Sequence, residues 1–286
     1  MTAPDICIAV LAHNEAGRIA TCLNSLPLGH ADVDIHVVIN GSTDDTAQIA
    51  RSIAAATHNL TVHEYEQGGK SRSWNRFVFD ELNGFSTYHI FVDGDAQLRP
   101  GSVEALCSAL QNDPSANAAS ALPMNGRRAG YYADAMRRDH GLFGDLYALS
   151  GQFLSRMKAQ NIRLPEDLIG DDGLIAAMAK TDLGNEDNWR DDRIAVCDNA
   201  GFLCEPVSLL QINSWQMQYK RMINYSVRHF QNRMITDIMR GPGPAGLPPT
   251  LSSLYPQQLP QYRPRARFPE FWFDRIALKR MAASAG

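Results

Sequence analysis

The chain has 286 residues, 44% of them hydrophobic, and a formal net charge of −4. That length carries one sizeable domain with an extension. The five cysteines are odd in number and form no Cys-x-x-Cys pair, which argues against a disulfide scaffold or zinc ribbon and for a reduced, cytoplasmic setting. No apolar run approaches a membrane span, and the short run Ile6–Ala12, placed after Asp5, does not read as a secretory leader.

The first 110 residues alternate strand and helix patterns. Strands are predicted at Ile6–Ala12, Ile35–Ile39, Leu60–Tyr65 and Thr87–Val92, with helices at Ala16–Ser25, Asp44–Ala56 and Ser71–Leu82 and a fourth from about Ser102. Such alternation builds βαβ units on a parallel sheet. Ser42 or Thr43 is expected to cap the second helix, with Asp44 and Asp45 in its first turn. Trp74 and Phe77 read as core. Further on, Tyr147–Met157 reads as a strand in which Gly151 marks a close approach or bulge. Asp172–Lys180 reads as a short helix, Arg193–Cys197 as a strand and Ser208–Met239 as a long helical stretch. From Gly241 onward eight prolines (242, 244, 248, 249, 256, 260, 264 and 269) predict an extended arm or linker. The end, Phe268–Met281, mixes aromatic with basic residues. It reads as an interfacial amphipathic helix, or as a tail packed on its own domain or on a second subunit.

Charge is unevenly distributed. From Lys220 onward there are eleven basic and three acidic residues; the preceding part carries sixteen basic and twenty-eight acidic. A basic tail of this kind predicts contact with an anionic surface, its own acidic body included. No nucleic-acid recognition element accompanies it.

The strongest chemical signal is Asp93-Gly94-Asp95 at the carboxyl end of a predicted buried strand, where open α/β sheets bind ligands. Two carboxylates there suit Mg²⁺ or Mn²⁺ together with substrate phosphates. Three loops are predicted at the same sheet end: Ala12-His13-Asn14-Glu15, Asn40-Gly41-Ser42-Thr43-Asp44, and Gly69-Lys70. Gly170-Asp171-Asp172 adds a second acidic pair.

In order and spacing this set resembles the family 2 inverting glycosyltransferases, which have a GT-A fold. The resemblance spans about residues 6–225. It implies an α/β, Rossmann-like GT-A domain over 1–240, with a nucleotide-binding half to about 112 and an acceptor half to 240, followed by a Pro-rich basic arm over 241–286. It also implies transfer of a sugar from a nucleoside-diphosphate sugar, UDP-sugar being the expected donor, to a hydroxyl of a saccharide or glycolipid in bacterial surface polysaccharide assembly. Ala12, His13, Asn14, Glu15, Asn40, Ser42, Lys70, Asp93, Gly94 and Arg221 would contact the donor. Asp95, with Asp93, would bind Mn²⁺ or Mg²⁺. Asp172 would be the base, and Asp171 and Gly151 would touch the acceptor or stand just behind the residues that do. Asn40 stands where many relatives carry a uracil-reading acid. Gln218-Tyr219-Lys220-Arg221-Met222 has Met where polymer-forming members have Trp, which favours single transfer. The alternatives are a nucleotidyltransferase of similar fold, without its usual Gly-rich loop, or a non-catalytic nucleotide- or polyanion-binding module. The basic arm is expected to touch the inner membrane face peripherally, and oligomerisation is left open.

Overall fold

A computed structural model describes residues 5–204 and 212–284 of the chain. Strand β1 (Ile6–Ala12) turns Cys7, Ala9 and Leu11 toward one layer and Ile8, Val10 and Ala12 toward the other. Both faces are covered, which is why the strand is apolar throughout rather than alternating. Helix α1 (Ile19–Asn24), β2 (Val33–Asn40), α2 (Thr46–Ala54), β3 (Leu60–Tyr65), α3 (Lys70–Asn75) and β4 (Tyr88–Asp93) follow. Between α3 and β4 the helix continues as a π-helical turn, Arg76–Glu81. Trp74 and Phe77 are buried, as expected. The remaining elements are β5 (Ala96–Leu98), α4 (Ser102–Asn112), β6 (Ala118–Pro123), α5 (Ala129–Asp139), β7 (Leu146–Ser150), α6 (Gly151–Ala159), α7 (Asp171–Thr181), β8 (Ile194–Cys204), α8 (Ile212–Arg240), α9 (Tyr255–Gln258) and α10 (Glu270–Ala283). Residues 208–211 of the expected long helix lie outside the described residues.

The eight strands form one sheet in the order β3-β2-β1-β4-β7-β6-β8-β5. The β3-β2-β1-β4 half is parallel. β7 joins β4 antiparallel, pairing Leu146 with Val92 and Ser150 with Tyr88. The amino end of β7 therefore lies beside the carboxyl end of β4. The sequence did not reveal this reversal, nor β5, β6 and α5.

Three expectations need correction. The strand predicted over Tyr147–Met157 ends at Ser150, whose hydroxyl accepts the Phe153 N–H (3.2 Å) and caps α6. Phe153, Leu154 and Met157 are buried at helical spacing. Gly151 does mark a close approach: a Cβ there would lie 2.0 Å from the Ser86 carbonyl oxygen. That contact is at the start of β4, so Gly151 is at the opposite end of the sheet from Asp93 and away from any acceptor there. Gly151→Ala should cost about 1–3 kcal/mol through overpacking against fixed backbone, read as a lower urea midpoint at unchanged slope.

The second correction concerns α2, which starts at Thr46. Asp44, not Ser42 or Thr43, accepts the Thr46 N–H (3.1 Å) and the Thr46 hydroxyl. Third, the Pro-rich segment is not an extended arm. Leu251, Tyr255 and Tyr262, spaced between its prolines, are buried in the same cluster as Leu174, Phe230 and Met234. The Asp167 carboxylate accepts the Leu251 and Ser252 N–H groups (2.6 and 2.8 Å), and Tyr262 stacks on Phe230. Of the readings open for the end of the chain, packing on its own domain is what α10 shows. Its inward face carries Ala277, Met281 and the fully buried Asp274, which forms an ion pair with Arg265.

Candidate active site

The loops after β1, β2 and β4 leave one sheet edge because those strands are parallel and adjacent. The first two are stitched together. Asn14, in left-handed backbone (φ 56°), donates its N–H to Ser42 Oγ (3.0 Å), and its Oδ1 accepts the Thr43 N–H (2.8 Å). Glu15 N–H donates to Thr46 Oγ1 (2.7 Å). His13 Nδ1 lies 2.6 Å from the Asn40 carbonyl oxygen, an acceptor only, so that nitrogen carries the proton. The buried Asn40 side chain ties in the third loop: its Oδ1 accepts from Gly69 N–H (2.7 Å) and Ser73 Oγ (2.9 Å). Only its NH₂ group remains for a base edge. Gly94 is required by a close approach, since a Cβ would lie 2.7 Å from that of Ala12. The approach is that of β1, which locks the Asp93-Gly94-Asp95 turn against Ala12.

Oxygens of Asp93, Asp95 and Asp145 all lie within 4.8 Å of one another. Asp145 directly precedes β7 and arrives here because β7 runs antiparallel to β4. Cys204 Sγ donates to Asp145 Oδ1 (3.0 Å). Three hard oxygen donors this close suit Mg²⁺ or Mn²⁺. Positive charge reaches the cluster from two sides. Arg18 Nη1 is 3.5 Å from Asp95 Oδ2, and Arg18 also pairs with Glu15. Lys70 Nζ is 2.6 Å from Asp93 Oδ1 and 3.6 Å from Asp171 Oδ1. Lys70 thus points into the acidic cluster and bridges its two acidic motifs.

Asp171 and Asp172 open α7, and adjacent helical residues diverge. The Asp171 side chain is 4% exposed, and its Oδ2 has no hydrogen-bond partner. Asp172 is 20% exposed and accepts from Arg228 Nη2 (2.8 Å). Gly170 makes this pairing possible. It has φ 86°, and a Cβ there would strike the Arg228 guanidinium at 2.4 Å. Arg221, Asn224, Tyr225 and Arg228 line one face of α8 and, with Arg18, Asp95 and Asp145, enclose a cleft of about 430 Å³. Arg221 thus lines the same cleft as Asp95 and Asp145. Asp145, Arg18 and Arg228 were missed. Arg228 had a legible signal, lying two helical turns after Arg221 on the same face. Another hollow, behind α7 between Leu174, Trp189 and Met239, has Glu186 as its only acid and lacks the convergence of carboxylates.

Burial pushes Asp93 up to about 8, with Lys70 opposing and Asp145 and Asp171 adding to the rise. Asp145 is raised by burial, and Glu15 rises to about 7 through burial and the nearby Asp95. Burial alone would lower Lys70, but Asp171 and Asp93 hold it well above its ordinary value. Raised carboxylates bind protons more tightly in the folded state, so the metal-free protein loses stability as pH climbs through about 8. A cation replaces those protons. Added Mn²⁺ should therefore raise the melting temperature little at about pH 5.5 and clearly more at about pH 8.5. Thermal melts with and without the ion measure this, and an equal shift at both values would contradict the protonation pattern.

The sequence profile of Glycosyl transferase family 2 matches residues 7–181. A search of curated proteins gave no match. Among solved structures, the mannosyltransferase PcManGT from Pyrobaculum calidifontis, in complex with GDP-Man and Mn²⁺, is similar over 100% of this chain and 77% of its own, with TM-score 0.61 and 20% identity. Glucosyl-3-phosphoglycerate synthase from Mycobacterium tuberculosis, with Mn²⁺, UDP and phosphoglyceric acid, is similar over 86% and 80%, with TM-score 0.56 and 20% identity. S. aureus TarS 1-349 with UDP-GlcNAc is similar over 99% and 82%, with TM-score 0.56 and 13% identity. These likenesses establish the GT-A fold. The profile match covers more than half of the sequence and includes Asp93, Asp95, Asp145 and the Asp171-Asp172 pair, and the chain therefore belongs to glycosyl transferase family 2.

Proposed function

We propose that this glycosyltransferase moves a sugar from a nucleoside-diphosphate sugar, with UDP as the nucleotide, to a hydroxyl of a saccharide or glycolipid, with inversion at the anomeric carbon. The observation that carries this reading is the convergence of Asp93, Asp95 and Asp145 beside a cleft lined by Arg221 and by Arg228, which holds Asp172. Asp93, Asp95 and Asp145 would hold Mn²⁺ or Mg²⁺, which when bound would supply charge stabilisation for the departing diphosphate. Arg18, Arg221 and Arg228 offer planar donor forks to phosphate oxygens. The Asn40 NH₂ and the His13-Asn14 loop border the place for the base. Asp172 takes the proton of the attacking hydroxyl, and Arg228 orients its carboxylate. Attack opposite the leaving group inverts the centre. Asp171, buried against Lys70, sets the position of α7 relative to the Asp93 turn. The proposed setting is bacterial surface polysaccharide assembly on the cytoplasmic side, with a single transfer per acceptor. Among the described residues no helix is long and apolar enough to cross a membrane, and contact with the bilayer is peripheral.

Thermal shift against a panel of nucleotide sugars with Mn²⁺, followed by donor hydrolysis, tests this reading. One UDP-sugar should stabilise the protein and be turned over. Calorimetry without nucleotide uptake, with or without Mn²⁺, would overturn it. Uptake without turnover would identify a binding module instead.

A further inference from the structure

Helix α10 buries Ala277 and Met281 against its own domain but keeps its largest rings outside. Its inward face holds the fully buried Asp274, while its outward face presents Phe271 (42% exposed) and Trp272 (56%). Just before it, Phe268 is 82% exposed. The outer turns of α8 continue the patch: Tyr219 (49% exposed) lies edge-on to Phe273 with ring centroids 5.8 Å apart, and Trp215, one turn earlier, is 67% exposed. Solvent-facing aromatics gathered on two neighbouring helices are not the scattered kind that needs no explanation.

Apart from the half-buried Glu270, the unneutralised charges around them are positive. Arg265 is neutralised by Asp274, and Arg280 donates to Asn224. Arg267, Arg275 and Lys279 pair with no acidic side chain among the described residues; Arg275 instead lies 5.8 Å over the Phe271 ring. Lys220 is exposed beside Tyr219. This face also borders the cleft. Asn224, which holds Arg280, lines it together with Arg221 and Arg228.

We propose that the outer faces of α8 and α10 dock on an anionic phospholipid bilayer, with the aromatics at the headgroup level and the cations against lipid phosphates, so that the cleft opens toward an acceptor carried in the membrane. Only the last clause rests on the glycosyltransferase reading. Charge decides the occupant. A second copy meeting this face through a two-fold axis would bring like cations together. An anionic leaflet neutralises each of them, while Trp, Tyr and Phe rings suit its interface.

Sedimentation with phosphatidylcholine vesicles containing phosphatidylglycerol, or lacking it, tests the proposal on the full chain. The protein should sediment with the anionic vesicles, less at high salt, and not with the neutral ones. Arg275→Gln with Lys279→Gln should weaken that binding about 25-fold, about fivefold for each cation lost. Phe271→Ser with Trp272→Ser should also release the protein. Both variants change exposed side chains, and unaltered melting and donor hydrolysis in solution will show intact folds. Absent sedimentation, or sedimentation unchanged in both variants, overturns the proposal. So does a dimer in ultracentrifugation that Phe271→Ser with Trp272→Ser dissociates. Vesicle binding without donor turnover by the unmodified chain would count against the proposed reaction alone.

Discussion

Asp172→Asn should lower sugar transfer by a factor of about 10²–10⁴ while donor affinity stays within a few-fold of the unmodified enzyme. The expectation rests on where the two adjacent acids point. Asp171 is buried against Lys70, whereas Asp172 is partly exposed and held by Arg228, which lines the cleft. Of the pair, Asp172 has the more accessible carboxylate, and in the proposed mechanism it is the one that meets the incoming hydroxyl. Asparagine keeps the shape and can still meet Arg228 through its carbonyl oxygen, but it has no basicity. Asp171→Asn is the informative companion. It removes a buried countercharge of Lys70, so its main effect should be on stability, with a melting temperature well below that of Asp172→Asn. Single-turnover rates and calorimetric donor binding separate the two variants. Near-full transfer by Asp172→Asn, with donor binding intact, would move the base to another residue.

Asp95→Asn should abolish the stabilisation by Mn²⁺ and reduce transfer by roughly three orders of magnitude. One unit-charge contact near 4 Å contributes roughly 4 kcal/mol at an effective dielectric of 20, which corresponds to roughly a thousandfold in rate. Asp145→Asn should raise the Mn²⁺ concentration needed for half-maximal activity, because it removes one of three converging donors. Titrating Mn²⁺ against activity in both variants checks this. An Asp145→Asn enzyme with unchanged metal demand would remove Asp145 from the set.

The parallel half of the fold was readable because its strands obey simple rules. Ile6–Ala12 and Leu60–Tyr65 are apolar or alternating runs bounded by turn residues, and their limits match the structure. Asp93 and Asp95 could be placed because carboxyl ends of parallel strands share one edge. Asp145 could not, for a physical reason. Its position depends on β7 running against β4, and strand direction is set by long-range pairing that no local pattern encodes. The run Tyr147–Met157 misled because Leu, Phe and Met serve a buried strand and a buried helix alike. The Ser150 cap and the close contact at Gly151 decide the boundary, and the second depends on Ser86 and Thr87, distant in sequence. The prolines after Gly241 correctly ruled out a continuous helix. They said nothing about Leu251, Tyr255 and Tyr262, which find their places only once α7 and α8 exist.

The burial of those three side chains bears on how the enzyme should be handled. Ending the chain near residue 240 would strip Leu251, Tyr255 and Tyr262 from the core cluster they share with Leu174 of α7, and would leave the Asp167 carboxylate without the two amides it binds. A shortened protein that failed to work would then be reporting a collapsed support under its acidic pair, not a lost foothold on lipid. The tail has to be dissected by changing what it shows to the outside while keeping what it lends to the inside.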